Sequence, residues 1–184
     1  MIFLENINPK DRNCIFIRHG DKDPLTFELT EKGKYDIALL AKKLADINCK
    51  IQIYSSPEHR CLETATILNN LISSPSKDII ISKILGMPGI QVKNDIEYNQ
   101  LTNQMKCREI FKEWKKGNFS LAMNSPEYIK INMMKFFDNT AIKKGITIYV
   151  SQSGTVACSG YSFGLIDYRN NDWVDYLDGF VLRL

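Results

Sequence analysis

A chain of 184 residues, 44% apolar and 24% charged, is long enough to bury a core without staples, and its composition argues for a globular fold over disorder. A net charge of +3 is too small to imply a nucleic-acid or membrane surface, and no apolar stretch reaches transmembrane length. The 5 cysteines are odd in number and form no close pairs, as expected of free thiols in a reducing compartment; with no apolar leader after Met1, a cytoplasmic location is expected.

Residues 1–12 are polar and read as a lead-in, and Cys14 to Ile17 as a first, buried strand. Thr30-Glu31 opens a helix carrying Ile37, Leu40, Ala41 and Leu44 on one face. Ile51 to Tyr54 is a second strand. Ser56 then reads as a helix cap, with Pro57 at the first helical position and Cys61, Ala65, Leu68 and Ile72 facing inward. A third strand is predicted over Ile79 to Ile84, closed by Gly86-Met87-Pro88-Gly89. Within 90–144, Leu101, Met105, Ile110 and Trp114 suggest one helix ending near Gly117. Ser125-Pro126-Glu127 starts another, with Ile129, Met133 and Phe136 or Phe137 inward. Ile146 to Val150 reads as a central strand, Ser153-Gly154 as the start of a small-residue helix, and Phe180, Leu182 and Leu184 as an edge strand. Strands alternating with helices predict a three-layer α/β/α sandwich, one domain over 1–184, with a mainly parallel sheet and 90–144 as a helical insertion over the pocket.

Three stretches converge in such a sheet. Arg18-His19-Gly20 ends the first strand, Arg60 lies in the first turn of the helix after the second, and Ser151-Gln152-Ser153-Gly154 follows the fourth. Ligands collect at the carboxyl ends of strands in open α/β sheets. Arginine brings a rigid charged fork for phosphate oxygens, a helix N-terminus favours an anion, and a neutral imidazole is a nucleophile. The triplet alone is weak; beside Leu29-Thr30-Glu31-Lys32-Gly33 and Ser55 through Ala65 the signal is specific.

On those motifs the chain resembles the small, single-domain branch of the histidine phosphatase superfamily (phosphoglycerate mutase-like), closely over 13–72 and again over 145–184. The resemblance implies a phosphoglycerate mutase-like fold without cofactor or metal, acting on a small phosphorylated molecule. By resemblance, His19 attacks phosphorus and becomes phosphohistidine, Arg18 and Arg60 hold phosphoryl oxygens, and Lys22, in an acid-phosphatase-like version of the motif, adds a phosphate contact. The chain departs from its relatives at Gln152, where they carry a second histidine. A carboxamide donates a hydrogen bond but brings no charge and does not titrate. Met87 stands where some relatives place the leaving-group acid, and Ser153 where others do; Asp21, Asp23, Asp95 and Glu97 are the substitutes.

The leading expectation is a divergent histidine phosphatase of weakened activity, set against an inactive phospholigand-binding or protein-interaction module and against a different reaction that reuses His19. Bland alternatives stand beside these roles. Arg60 could pair with Glu63 on its own helix, and His59, about 100° round the helix from Arg60, is expected at the rim. Lys106, Arg108, Lys112, Lys115 and Lys116 with Phe111 and Trp114 read as a solvated face over an aromatic stripe, so no nucleic-acid partner is expected. Tyr161, Phe163 and Tyr168 are expected to pack rather than to bind a ligand. There is no Walker A loop, no glycine-rich dinucleotide fingerprint, no Cys-x-x-Cys pair, no His-Glu-x-x-His, and no cysteine followed six positions on by arginine.

Overall fold

The computed structural model describes residues 4, 7–72, 78–167 and 173–184. Among these, strands β1 (Arg12–Arg18), β2 (Ile51–Ser55), β3 (Ile80–Ile81), β4 (Gly145–Ser151) and β5 (Gly179–Arg183) form a sheet in the order β3-β2-β4-β1-β5. All pairings are parallel except β1 with β5, which is antiparallel. The helices are α1 (Glu31–Ala45), α2 (His59–Leu71), α3 (Asp95–Gln104), α4 (Cys107–Lys115), α5 (Pro126–Thr140) and α6 (Ser153–Ser162). The sandwich is the α/β architecture expected.

Period-two alternation assigns each strand residue to a layer. Ile15, Ile17, Ile53, Ile146, Ile148 and Val150 pack under α1 and α2, through Ile37, Leu40, Ala65 and Leu68. Phe16 and Tyr149 face the other way, into a core with Phe111 and Trp114 of α4, Met133 and Phe137 of α5, and Val156 of α6. On β5, Phe180 and Leu182 join that second core while Val181 packs on the first.

Three local expectations are corrected. Ser56 does not cap α2: its N–H extends the sheet by donating to the Val150 carbonyl (2.9 Å), and the helix begins at His59 with Glu58 at the cap. Pro57 is therefore in the loop, not at the first helical position. The third strand is only Ile80–Ile81, because pairing with β2 stops at Ser55 and the chain tightens into a 3-10 turn, Lys83–Leu85. The single helix expected to end near Gly117 is two. The Met105 N–H closes α3 on the Leu101 carbonyl (2.8 Å), and α4 restarts where the Lys106 N–H donates to the Glu109 carboxylate (2.9 Å). The start of α5 is as read: Ser125 accepts from the Tyr128 N–H and Pro126 opens the helix.

Candidate phosphate-binding site

The parallel register aligns the strand ends. Arg18 lies opposite Ser151, the His19 N–H donates to the Ser151 carbonyl (3.0 Å), and Ser55 lies opposite Val150. The loops after β1, β2 and β4 therefore leave the sheet side by side. Thr64, one turn into α2, accepts from the Gly20 N–H (3.0 Å) and donates to the Arg60 carbonyl (2.7 Å), tying the turn after β1 to the start of α2. Thr30 caps α1 through the Gly33 N–H (2.9 Å) and donates to the Asp21 carboxylate (3.0 Å). Gly33 is required there, since a Cβ would overlap the Asp21 backbone.

His19 is buried, and its Nδ1 lies 2.8 Å from the Gly20 carbonyl oxygen. A carbonyl only accepts, so Nδ1 carries the proton and Nε2 holds the unprotonated lone pair. Nε2 in turn accepts from Arg60 Nε (3.1 Å). Burial, then the charges of Arg18, Arg60 and Lys22, push the His19 pKa down to about 3, against the opposing Gly20 hydrogen bond. The imidazole is neutral at physiological pH and sits among three cations.

Arg60 Nε also donates to Gln152 Oε1 (3.1 Å), and Arg60 Nη2 donates to the same oxygen. The Gln152 amide nitrogen points the other way, donating to Cys61 Sγ (3.3 Å). Gln152 thus meets Arg60 as an acceptor. Burial pushes the Cys61 thiol up to about 12, so the sulfur presented to that amide is an uncharged thiol. Arg18 donates to the Val174 carbonyl (2.8 Å), and its guanidinium carbon lies 3.8 Å from the centre of the Tyr176 ring. Its buried Nε makes no hydrogen bond, a donor that an anion would satisfy. Lys22 lies over Phe27 at 4.2 Å, and burial and then the charges of Arg60 and Arg18 lower its pKa.

Of the expected site residues, His19, Arg60 and Gln152 are joined by hydrogen bonds and Arg18 and Lys22 add their charge to the field at His19, whereas none of the expected carboxylates hydrogen-bonds His19. Asp21 is held by Thr30. Asp23 Oδ1 accepts the Leu25 and Thr26 N–H groups (2.8 and 2.9 Å), and those bonds hold it below the usual carboxylate range. Glu97 lines a separate cavity with Leu101 and Phe119. His59 is exposed, Tyr161 packs against Phe111 and Trp114, and Tyr168 lies outside the described residues. Sequence reasoning missed Tyr176, whose ring is 5.8 Å from that of His19, and Glu58, whose carboxylate accepts from the Ser56 hydroxyl and from the Met87 N–H (2.7 Å). Two acidic and hydroxyl side chains flanking Pro57 were the available signal for Glu58; nothing marked Tyr176.

The fold is phosphoglycerate mutase-like, with an Arg-His-Gly turn at the carboxyl ends of its parallel strands. Residues 14–82 match the histidine phosphatase superfamily (branch 1). Among solved structures, phosphoglycerate mutase from Bacillus anthracis str. Sterne is 17% identical, with a TM-score of 0.53 over 83% of this chain and 80% of that one. A mycobacterial glucosyl-3-phosphoglycerate phosphatase is 17% identical, with a TM-score of 0.54 over 82% and 78%. Phosphoserine phosphatase from Entamoeba histolytica, in complex with 3-phosphoglyceric acid, is 19% identical, with a TM-score of 0.52 over 82% and 78%. At these identities the likeness is one of fold. No curated protein matches the sequence.

Proposed function

We propose that this chain is a divergent histidine phosphatase that hydrolyses a small phosphomonoester slowly, through a phosphohistidine on His19. The observation that carries the reading is the His19 ring: Nδ1 is tied to the Gly20 carbonyl and Nε2 is turned toward Arg60. As substrate enters, its phosphoryl oxygens take over the Arg60 and Arg18 donors, which uncovers the Nε2 lone pair. Nε2 then forms a bond to phosphorus while the P–O bond to the alcohol breaks, and the alkoxide takes a proton from solvent. Water attacks the phosphohistidine, loses a proton, and releases inorganic phosphate and neutral His19. Phosphoryl transfer rests on positioning and electrostatics. Replacing a charged donor with Gln152, whose amide nitrogen is engaged by Cys61, lowers the rate on the order of 10²–10³.

A second reading, a phospholigand-binding module without turnover, draws support from the placement of Asp21, Asp23 and Glu97, none of which hydrogen-bonds His19 or Arg60. Rapid-quench trapping of a phosphoenzyme, with steady-state hydrolysis of a phosphomonoester panel, separates the two. The enzyme reading expects slow turnover abolished in His19→Ala and accelerated in Gln152→His. Binding of vanadate or phosphate with neither turnover nor trapped phosphoenzyme selects the module.

A further inference from the structure

Arg60 Nε is shared between two acceptors. It donates to His19 Nε2 and to Gln152 Oε1, both at 3.1 Å, so the two lie side by side before one N–H. A phosphorus atom within bonding reach of the His19 ring would set its own oxygens against Oε1, acceptor facing acceptor with no proton between them. Turning the carboxamide over would put its amide nitrogen in that place and supply the missing proton. Whatever holds the carboxamide as it stands therefore decides whether Gln152 opposes an anion or helps to bind it.

Both ends of the group are fixed. At the oxygen end Arg60, which carries donors alone, reaches Oε1 through Nε and Nη2. An anion that claims those donors removes this constraint. At the nitrogen end the amide donates to Cys61 Sγ (3.3 Å), a contact that involves neither Arg60 nor His19. Gln152, Cys61 and Ser56 are buried, where a lost partner costs the full desolvation of the group left behind. The thiol is kept as an acceptor by what lies behind it. Burial keeps it protonated, and it also hydrogen-bonds the Ser56 hydroxyl, which commits its own proton to the Glu58 carboxylate. Ser56 Oγ is left to accept, so the S–H turns to Ser56 and the sulfur lone pairs to Gln152. Every donor in the series Arg60, Gln152, Cys61 and Ser56 thus points toward Glu58, which also accepts the Met87 N–H (2.7 Å). A reversed carboxamide would bring its oxygen onto those sulfur lone pairs.

We propose that Cys61 is a positioning residue for this site: by accepting the Gln152 amide N–H it fixes Gln152 as an acceptor that aims Arg60 at His19, and so keeps the carboxamide from donating to a bound phosphoryl group. The inference rests on the reading of Arg18, His19 and Arg60 as a phosphate site. Part of the slow turnover then comes from the orientation of the Gln152 side chain and not from its lack of charge alone.

Calorimetric titration with inorganic phosphate at neutral pH tests this on four forms of the chain. Cys61→Ala and Cys61→Val remove the sulfur acceptor with and without leaving a void, and Cys61→Ser keeps an acceptor. Both apolar variants are expected to bind phosphate about tenfold tighter than wild type, the size of one hydrogen bond to a charged partner. Cys61→Ser should bind as wild type does. In a Gln152→Leu background the gain should vanish, since leucine neither accepts nor donates. A thiol that served packing alone would, on removal, weaken binding or leave it unchanged, so the sign of the change separates the two roles. Affinity that is unchanged or lower in Cys61→Ala and Cys61→Val overturns the assignment of Cys61 while the phosphate site stands. A gain that persists with Gln152→Leu, or one equally large in Cys61→Ser, does the same. If neither wild type nor any Cys61 variant binds phosphate, the phosphate-site reading falls and this one with it.

Discussion

The proposed phosphoryl transfer depends on the protonation of one ring. Burial first, and then Arg18, Arg60 and Lys22, take His19 down to about 3, so its neutral form persists far below the pH at which a free histidine, of pKa about 6.5, is protonated. The sign of the linkage follows. Between about 6.5 and 3 the unfolded chain binds a proton at this position and the folded chain does not, so the folded state loses stability as pH falls through that window. Urea unfolding is expected to show lower stability at pH 5 than at pH 7, with part of the difference removed in His19→Asn. In kcat/KM, the limb due to His19 is expected below pH 5, and a break near pH 6 belongs to the second ionisation of the phosphomonoester itself. Ring-nitrogen NMR gives the direct check. An Nδ1-protonated, neutral His19 at pH 5.5 fits the geometry, and an imidazolium there contradicts it.

Elements decide which residues reach the centre, and α2 is the instructive case. Its start at His59 rather than Pro57 leaves Glu58 free to meet Met87 and puts Arg60 in the first turn. Thr64 then joins this turn to Gly20. Thr64→Val keeps the shape but removes the acceptor for a buried N–H, at a cost of about 1–3 kcal/mol. Denaturant titration should register that loss together with weaker phosphate binding, and Thr64→Ser should restore both. An unchanged Thr64→Val would mean that the Gly20 turn is held by its strand alone. The sheet was legible because Cys14–Ile17 and Ile146–Val150 are apolar runs bounded by polar residues, and α1 and α5 because Thr30 and Ser125 are conventional caps. The cap of α2 was misread because Ser-Ser-Pro satisfies local helix rules while Ser56 is still committed to the sheet through Val150. The break between α3 and α4 is made by a backbone bond to the Glu109 carboxylate after Lys106, a residue type that announces no cap. Arg18, His19, Arg60 and Gln152 could be picked out because their motifs adjoin strand ends. Tyr176 could not, since its place beside Arg18 is set by the antiparallel return of β5.

At the scale of the whole molecule, α4 and α5 have no core apart from the sheet. Phe137 of α5 lies 4.9 Å, ring to ring, from Tyr149 of β4 and 6.1 Å from Phe16 of β1, and Phe111 and Trp114 of α4 belong to the same buried cluster. Segment 90–144 is therefore expected to fold and unfold with the sheet rather than as an independent unit. The 2 tryptophans make this measurable, because Trp114 and Trp173 both pack in that cluster while far-UV circular dichroism reads helices on both faces. The two signals should share one midpoint in urea. Phe137→Ala removes a fully buried ring from the shared cluster and should cost about 3–5 kcal/mol, lowering both midpoints together. Ile131→Ala, on the exposed side of the same helix, should shift them by no more than about 0.5 kcal/mol. A tryptophan midpoint that falls in Phe137→Ala while the dichroism midpoint stays in place would instead make the helical layer a separate cooperative unit, able to unfold with the sheet still folded.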